Sequence, residues 1–158
     1  MTTTPPSSPV SVESPSLRIA HAESDAEIAA CFPVMRELRT HLADAGELVA
    51  RVRRQQREGY RLLALWDGDR AVACAGYRVT ENLVRGAFLY VDDLVTASDA
   101  RSRGLGAQLL AAVEAEARTQ GLHHIVLDSN VQNSRAHRFY FREGFSIRSF
   151  RFARALAR

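Results

Sequence analysis

The stretch Arg101-Ser102-Arg103-Gly104-Leu105-Gly106-Ala107 stands between a strand-like run and a helical one. Upstream, Ala87 to Thr96 is rich in aromatic and β-branched residues. Downstream of Leu105, the apolar positions Leu109, Ala112 and Val113 recur at helical spacing, with Gly121 placed to end the helix. Gly104 and Gly106 allow close approach of a ligand to the backbone. The first amides of the helix point into the turn with the positive end of the helix dipole. Such a turn suits a phosphate-bearing anion. A dipole at an exposed site contributes about 0.3–1 kcal/mol, so several amides must act together with Arg101 or Arg103 on a doubly charged group. The third glycine of GxGxxG is missing, with Leu109 in its place, which disfavours a dinucleotide.

Working outward, Leu17 to His21 reads as a strand. Ser24 opens a helical pattern through Ile28, Cys31, Phe32, Met35 and Leu38, with Glu27 at the capping-box position. A second helix is expected from Ala45 to Arg57, with Arg51, Arg53, Arg54 and Arg57 on a charged, solvated face. Tyr60 to Trp66 and Ala71 to Val79 flank Asp67-Gly68-Asp69-Arg70, a hairpin signal. After the glycine turn and its helix come a strand at His124 to Leu127, a helix at Asn133 to Glu143 and a last strand at Phe145 to Phe152. This order of elements favours a mixed α/β sheet.

The 158 residues suffice for one domain, with 46% hydrophobic and 25% charged residues, as in an ordinary globular protein. Residues 1–16 hold four of the five prolines among Ser and Thr and read as a disordered tail, leaving 17–158 as the globular domain. All 21 cationic residues are arginine, a bias expected of GC-rich coding. The absence of lysine excludes a Walker A loop, a kinase-type phosphate lysine and any lysine Schiff base. A net charge of +3 falls short of a nucleic-acid-binding composition. The two cysteines, with no apolar membrane run and no signal segment, lead to the expectation of a cytoplasmic protein without a membrane role. The histidines have no metal-ligand spacing, so no metal is expected.

With Leu94-Val95-Thr96 before it and Asn133-x-x-Ala136-x-x-Phe139-Tyr140-x-Arg142-x-Gly144-Phe145 after it, the Arg-x-x-Gly-x-Gly turn resembles the GNAT superfamily of acyl-CoA-dependent N-acetyltransferases. The resemblance implies a mixed central sheet of about six to seven strands with about four flanking helices, two strands splaying to form the acyl-CoA cleft. It implies acetyl-CoA as co-substrate, its pyrophosphate cradled by Arg101, Ser102, Arg103, Gly104, Leu105, Gly106 and Ala107. Leu94, Val95 and Thr96 would meet the pantetheine arm and thioester carbonyl. Asn133 is first a helix cap, and by the resemblance also a contact of the cofactor.

Acetyl transfer to an amine needs a neutral amine, a site for the oxyanion and a proton for the departing thiolate. Tyr140 falls on the motif position that supplies that proton. A tyrosine near pKa ~10 is only modestly weaker as an acid than a thiol near ~8.5. Asp92 and Asp93 are adjacent carboxylates that strand alternation sends to opposite faces, and at least one must meet a cation, water or substrate. By similarity to diamine and polyamine acetyltransferases, Asp92 is a base acting through water or an anchor for the substrate ammonium. Asp93 and Glu81 stand as alternative bases, and pairing with an arginine as the structural alternative. Arg36, Arg39 and His41 lie where a substrate carboxylate could be held.

The expected reaction is direct transfer, in a ternary complex, to a primary amine of a small molecule or peptide. A homodimer is compatible with the resemblance. The alternatives are a non-catalytic acyl-CoA-binding regulatory module and an acetyltransferase acting on aminoacyl-RNA or protein.

Overall fold

The computed structural model describes residues 17–156; the expected disordered tail lies outside them. In chain order the elements are β1 (Leu17–His21), α1 (Asp25–Ala30), α2 (Phe32–Leu38), α3 (Ala45–Gln56), β2 (Arg61–Asp67), β3 (Arg70–Asn82) and β4 (Gly86–Thr96). A 3₁₀ turn at Ser98–Ala100 leads into α4 (Leu105–Thr119), β5 (Ile125–Leu127) and α5 (Ser134–Arg142). The strands form one sheet in the order β1-β2-β3-β4-β5, antiparallel through β4 and parallel between β4 and β5. The mixed sheet is therefore as expected, but with five strands and five helices among the described residues.

Both departures from the expected counts have identifiable causes. Ser24 caps α1 through a reciprocal capping box with Glu27. Pro33 then enters at the start of α2, where it removes an amide and its ring crowds the carbonyl of the preceding turn, so the anticipated single helix breaks at Cys31. At the other end, Phe145 to Phe152 forms no ladder. Its prospective neighbour β5 is three residues long, too short a template for an eight-residue partner. Ile147, Phe150 and Phe152 remain exposed, and the segment is anchored to the sheet through Arg151, which pairs with Asp128 and reaches the Tyr90 hydroxyl.

The hairpin forms with Gly68 and Asp69 as its two-residue loop, Gly68 adopting φ 60°. The alternation of β3 divides the sheet's two faces. Tyr77 points to α4, where its hydroxyl donates to Glu116, whereas Gly76 and Arg78 look to the side of Tyr60, α2 and α3. On α4's side Leu105, Leu109 and Val113 pack with Leu65, Tyr77 and Leu89 in the core. Burying each such large side chain stabilises the fold by roughly 1.5–3 kcal/mol. The described helices include none long and apolar enough to cross a membrane.

Candidate active site

β4 keeps its pairing with β3 to Thr96, opposite Ala73, but its pairing with β5 ends at Val91, opposite Leu127. The edge from Asp92 to Thr96 is thus released from β5, and Leu94, Val95 and Thr96 lie along the opening. Beyond it the chain turns through Ser102 at φ 64° and Gly104 at φ 74°, both left-handed. α4 begins without a side-chain cap, and its first backbone bond runs from the Gln108 amide to the Gly104 carbonyl at 3.1 Å. The amides of Leu105, Gly106 and Ala107 therefore face the turn without helical acceptors. A Cβ on Gly106 would stand 3.3 Å from Thr96 Oγ1 and 3.6 Å from the Phe139 ring, so this glycine lets the end of β4, the start of α4 and α5 close together.

The two arginines of the turn differ. Arg101 donates from Nε to the Thr96 carbonyl at 3.2 Å and from Nη2 to Glu37 at 3.1 Å. Glu37 also accepts from the Ser98 amide, so Arg101 fastens the loop to α2. Arg103 is exposed. Asn133 caps α5, accepting from the Ala136 amide at 3.1 Å.

A bulge corrects the expectation for the acidic pair. The β3–β4 register passes from Gly76–Asp93 to Tyr77–Val91, leaving Asp92 as the extra residue. Both carboxylates consequently come to the Gly76 and Arg78 side instead of opposite faces. Asp92 receives Arg78 Nε at 2.9 Å and Nη2 at 3.2 Å. Asp93, the one buried charged residue among the described residues, accepts from Tyr60 Oη at 2.8 Å and Arg39 Nε at 2.7 Å. Arg39 Nη2 also donates to the Asp92 carbonyl at 2.7 Å. Burial lifts the Asp92 pKa above the usual carboxylate value, against the pull of Arg78. Burial and Asp93 likewise push the Tyr60 hydroxyl well up. Glu81 is exposed and five residues along β3 from Gly76, or about 17 Å at ~3.4 Å per residue, too far to serve the bulge.

Tyr140 is half-buried on α5, its ring against Phe139 and Phe145 with centroids at 5.4 and 5.7 Å. Burial raises its pKa, keeping the hydroxyl protonated. No hydrogen bond engages that hydroxyl among the described residues, whereas His137, one turn earlier, is tied to the Asn130 carbonyl at 2.9 Å. Cys74 is fully buried beside Cys31, its thiol pushed up, and packs in the core.

A profile of the acetyltransferase (GNAT) family matches residues 21–145. The chain belongs to this family. It is 37% identical over 130 residues to the uncharacterized N-acetyltransferase YhdJ of Bacillus subtilis, covering 82% of this chain and 92% of that protein. Over 66 residues it is 42% identical to the aminoalkylphosphonate N-acetyltransferase of Salmonella typhimurium, covering 42% and 43% of the two chains. Among solved structures, aminoglycoside N-acetyltransferase AAC(6')-Iy in complex with CoA superposes with TM-score 0.79 at 16% identity, covering 94% of this chain and all of that one.

Within this GNAT acetyltransferase, sequence reasoning missed Tyr60, Gly76 and Arg78 as parts of the site. A signal for Gly76 was present: an isolated glycine inside an apolar strand marks a bulge or a close approach. A Cβ there would lie 1.9 Å from Tyr60 Oη and 2.7 Å from Asp93 Oδ2. On α3, Arg51 pairs with Glu47 and Arg53 with Asp25, while Arg54 and Arg57 are exposed. An open cleft of about 510 Å³ lies at the C-terminal end of α4, lined by Arg61, Tyr77, Glu116 and Gln120. A 15-residue helix is about 22 Å long, so this cleft is remote from the glycine turn. No group of three or more His, Cys, Asp or Glu suited to a metal occurs among the described residues.

Proposed function

We propose that this enzyme moves an acetyl group from acetyl-CoA to the primary amine of a small molecule or peptide, by direct transfer in a ternary complex in the cytoplasm. The observation that carries the reading is the parting of β4 from β5 after Val91, beside an uncapped α4 N-terminus. That donor set fits the co-substrate: three unpartnered amides and an exposed Arg103 suit a pyrophosphate, and a free strand edge suits an extended, amide-bearing arm. The two buried, free cysteines accord with a reducing compartment. The small-molecule relative from Salmonella supports an amine acceptor of that size.

When bound, acetyl-CoA supplies the activated thioester. The amides of Leu105, Gly106 and Ala107, presented by the left-handed Ser102 and Gly104, hold the pyrophosphate with Arg103. Arg101 keeps the loop in place through Glu37. The Leu94–Thr96 edge aligns the arm and the carbonyl. Asp92 is the base acting through water, because its side chain retains 23% exposure against 9% for Asp93 and its raised pKa makes it a stronger base than an ordinary aspartate. Asp93 is a positioning residue that fixes the bulge. Tyr140, protonated and without a competing partner, gives its proton to the departing thiolate.

Thiol release from acetyl-CoA with a panel of amines tests the reading. Turnover that depends on the amine is expected. Tight acetyl-CoA binding with no turnover on any amine or peptide would refute it in favour of a regulatory module.

A further inference from the structure

The hydrogen-bond valences around the β4 bulge define the acceptor more narrowly than the acidic pair alone. A polycation would need a free carboxylate, yet each acid is already engaged. Asp92 is held by both ends of the Arg78 fork, and Asp93 by Tyr60 and Arg39. Arg78 itself is nearly exhausted: its three nitrogens also reach Gln55 and Glu58, and its side chain is 18% exposed.

Arg39 is different. Its guanidinium is fixed on one side by Asp93 and the Asp92 carbonyl, while Nη1 has no acceptor among the described residues and the side chain is 42% exposed. The Asp92 carbonyl to which it is fastened belongs to the first β4 residue beyond the last β5 pair, so the guanidinium sits beside the opening. A planar, permanently charged donor edge that is already oriented loses little entropy on binding a tetrahedral or planar oxyanion.

We infer that the acceptor carries an anionic group, a phosphonate, phosphate or carboxylate, a short distance from its primary amine, and that the outer edge of Arg39 receives it. The inference rests on the acetyltransferase reading above and adds the charge class of its substrate. The anion docks on Arg39, which places the amine at the opening between β4 and β5, within reach of a water held by Asp92. Arg39 is thereby a specificity-determining residue.

The test compares matched primary amines of equal chain length, ending in phosphonate, carboxylate, methyl or a second amine, as acetyl acceptors. The anionic acceptors are expected to show kcat/KM at least about tenfold above the neutral ones, as for one charge-assisted interaction. Arg39→Lys retains a cation for Asp93 but loses the fork, and is expected to erase this preference through KM, lowering kcat/KM for the anionic acceptors at least about tenfold more than for the methyl-terminated amine. A wild-type preference for diamines or neutral amines would overturn the inference. So would an equal loss on all acceptors in Arg39→Lys, the result of a merely structural role.

A measurement without turnover separates the two proposals. Calorimetric titration of ethylphosphonate into the wild-type chain saturated with acetyl-CoA is expected to show saturable binding, weakened about tenfold in Arg39→Lys. Absence of binding, or binding that acetyl-CoA abolishes, places no anion site at Arg39 and defeats the inference even if amines are acetylated. Binding as expected without turnover of any amine leaves the anion site standing and defeats the catalytic reading.

Discussion

Gly76→Ala places a Cβ 1.9 Å from Tyr60 Oη, 2.5 Å from Tyr60 Cζ and 2.7 Å from Asp93 Oδ2. Tyr60 is 3% exposed, so its ring has no solvent to move into. Overpacking of this kind costs about 1–3 kcal/mol. Displacing the hydroxyl also removes a hydrogen bond to a buried carboxylate, a loss of about 1.5–3 kcal/mol. Relief of glycine's conformational entropy in a strand offsets about 0.5–1 kcal/mol. The expected net destabilisation is about 2–5 kcal/mol, a large part of the 5–15 kcal/mol typical of a domain. Urea unfolding followed by the fluorescence of the buried Trp66 measures it. The companion variant Tyr60→Leu stops short of Cζ, and in that background Gly76→Ala is expected to lose less than half as much. A single-variant loss below about 1 kcal/mol, or an equal loss in both backgrounds, would refute the wedge of Tyr60 between Gly76 and Asp93.

Three further outcomes follow from the same geometry. Tyr140→Phe is expected to lower kcat about a hundredfold or more, with stability within about 0.5 kcal/mol because no hydrogen bond holds the hydroxyl; steady-state kinetics and urea unfolding check the two parts. Gly104→Ala meets open space but must adopt φ +74°, so a loss of about 1–2 kcal/mol and weaker acetyl-CoA binding by calorimetry are expected. His21 lies between Tyr77, Glu116 and Arg61, and burial lowers its pKa despite the nearby Glu116 carboxylate. The unfolded chain then takes up the proton first, so stability falls as pH drops from about 6.5 toward the lower folded-state pKa, and His21→Gln is expected to flatten unfolding midpoints over that window.

The elements with strong local codes were legible in the sequence. The Ser24–Glu27 box, the Gly68 hairpin and the Gly104 turn each depend on a few neighbouring residues, and each forms. The failures have non-local or competing causes. Apolar periodicity carried one helix across Cys31, although Pro33 breaks it through its missing amide. The last strand was read from its own composition, but a strand exists only with a partner, and β5 is three residues long. The bulge at Asp92 escaped strand alternation because an inserted residue is a property of the β3–β4 pairing. Gly76 carried the visible sign of it, and Tyr60, 16 residues earlier, the invisible half.

The arginine-only composition has a mechanical consequence at the bulge. Arg39 joins a side-chain carboxylate and a backbone carbonyl of consecutive residues, and Arg78 joins Asp92, Gln55 and Glu58. Both tasks need separate donors in a rigid plane, which a guanidinium has and an ammonium lacks. Buried acids confer little net stability in general, since desolvation offsets their attraction to a cation. What the forks provide here is geometry: they hold the bulged backbone at the point where β4 leaves β5. They also divide the labour of two adjacent carboxylates. Asp93, closed off by Tyr60 and Arg39, becomes part of the frame, while Asp92, one residue nearer β5's last pair and paired with Arg78, keeps the solvent access that a base acting through water requires.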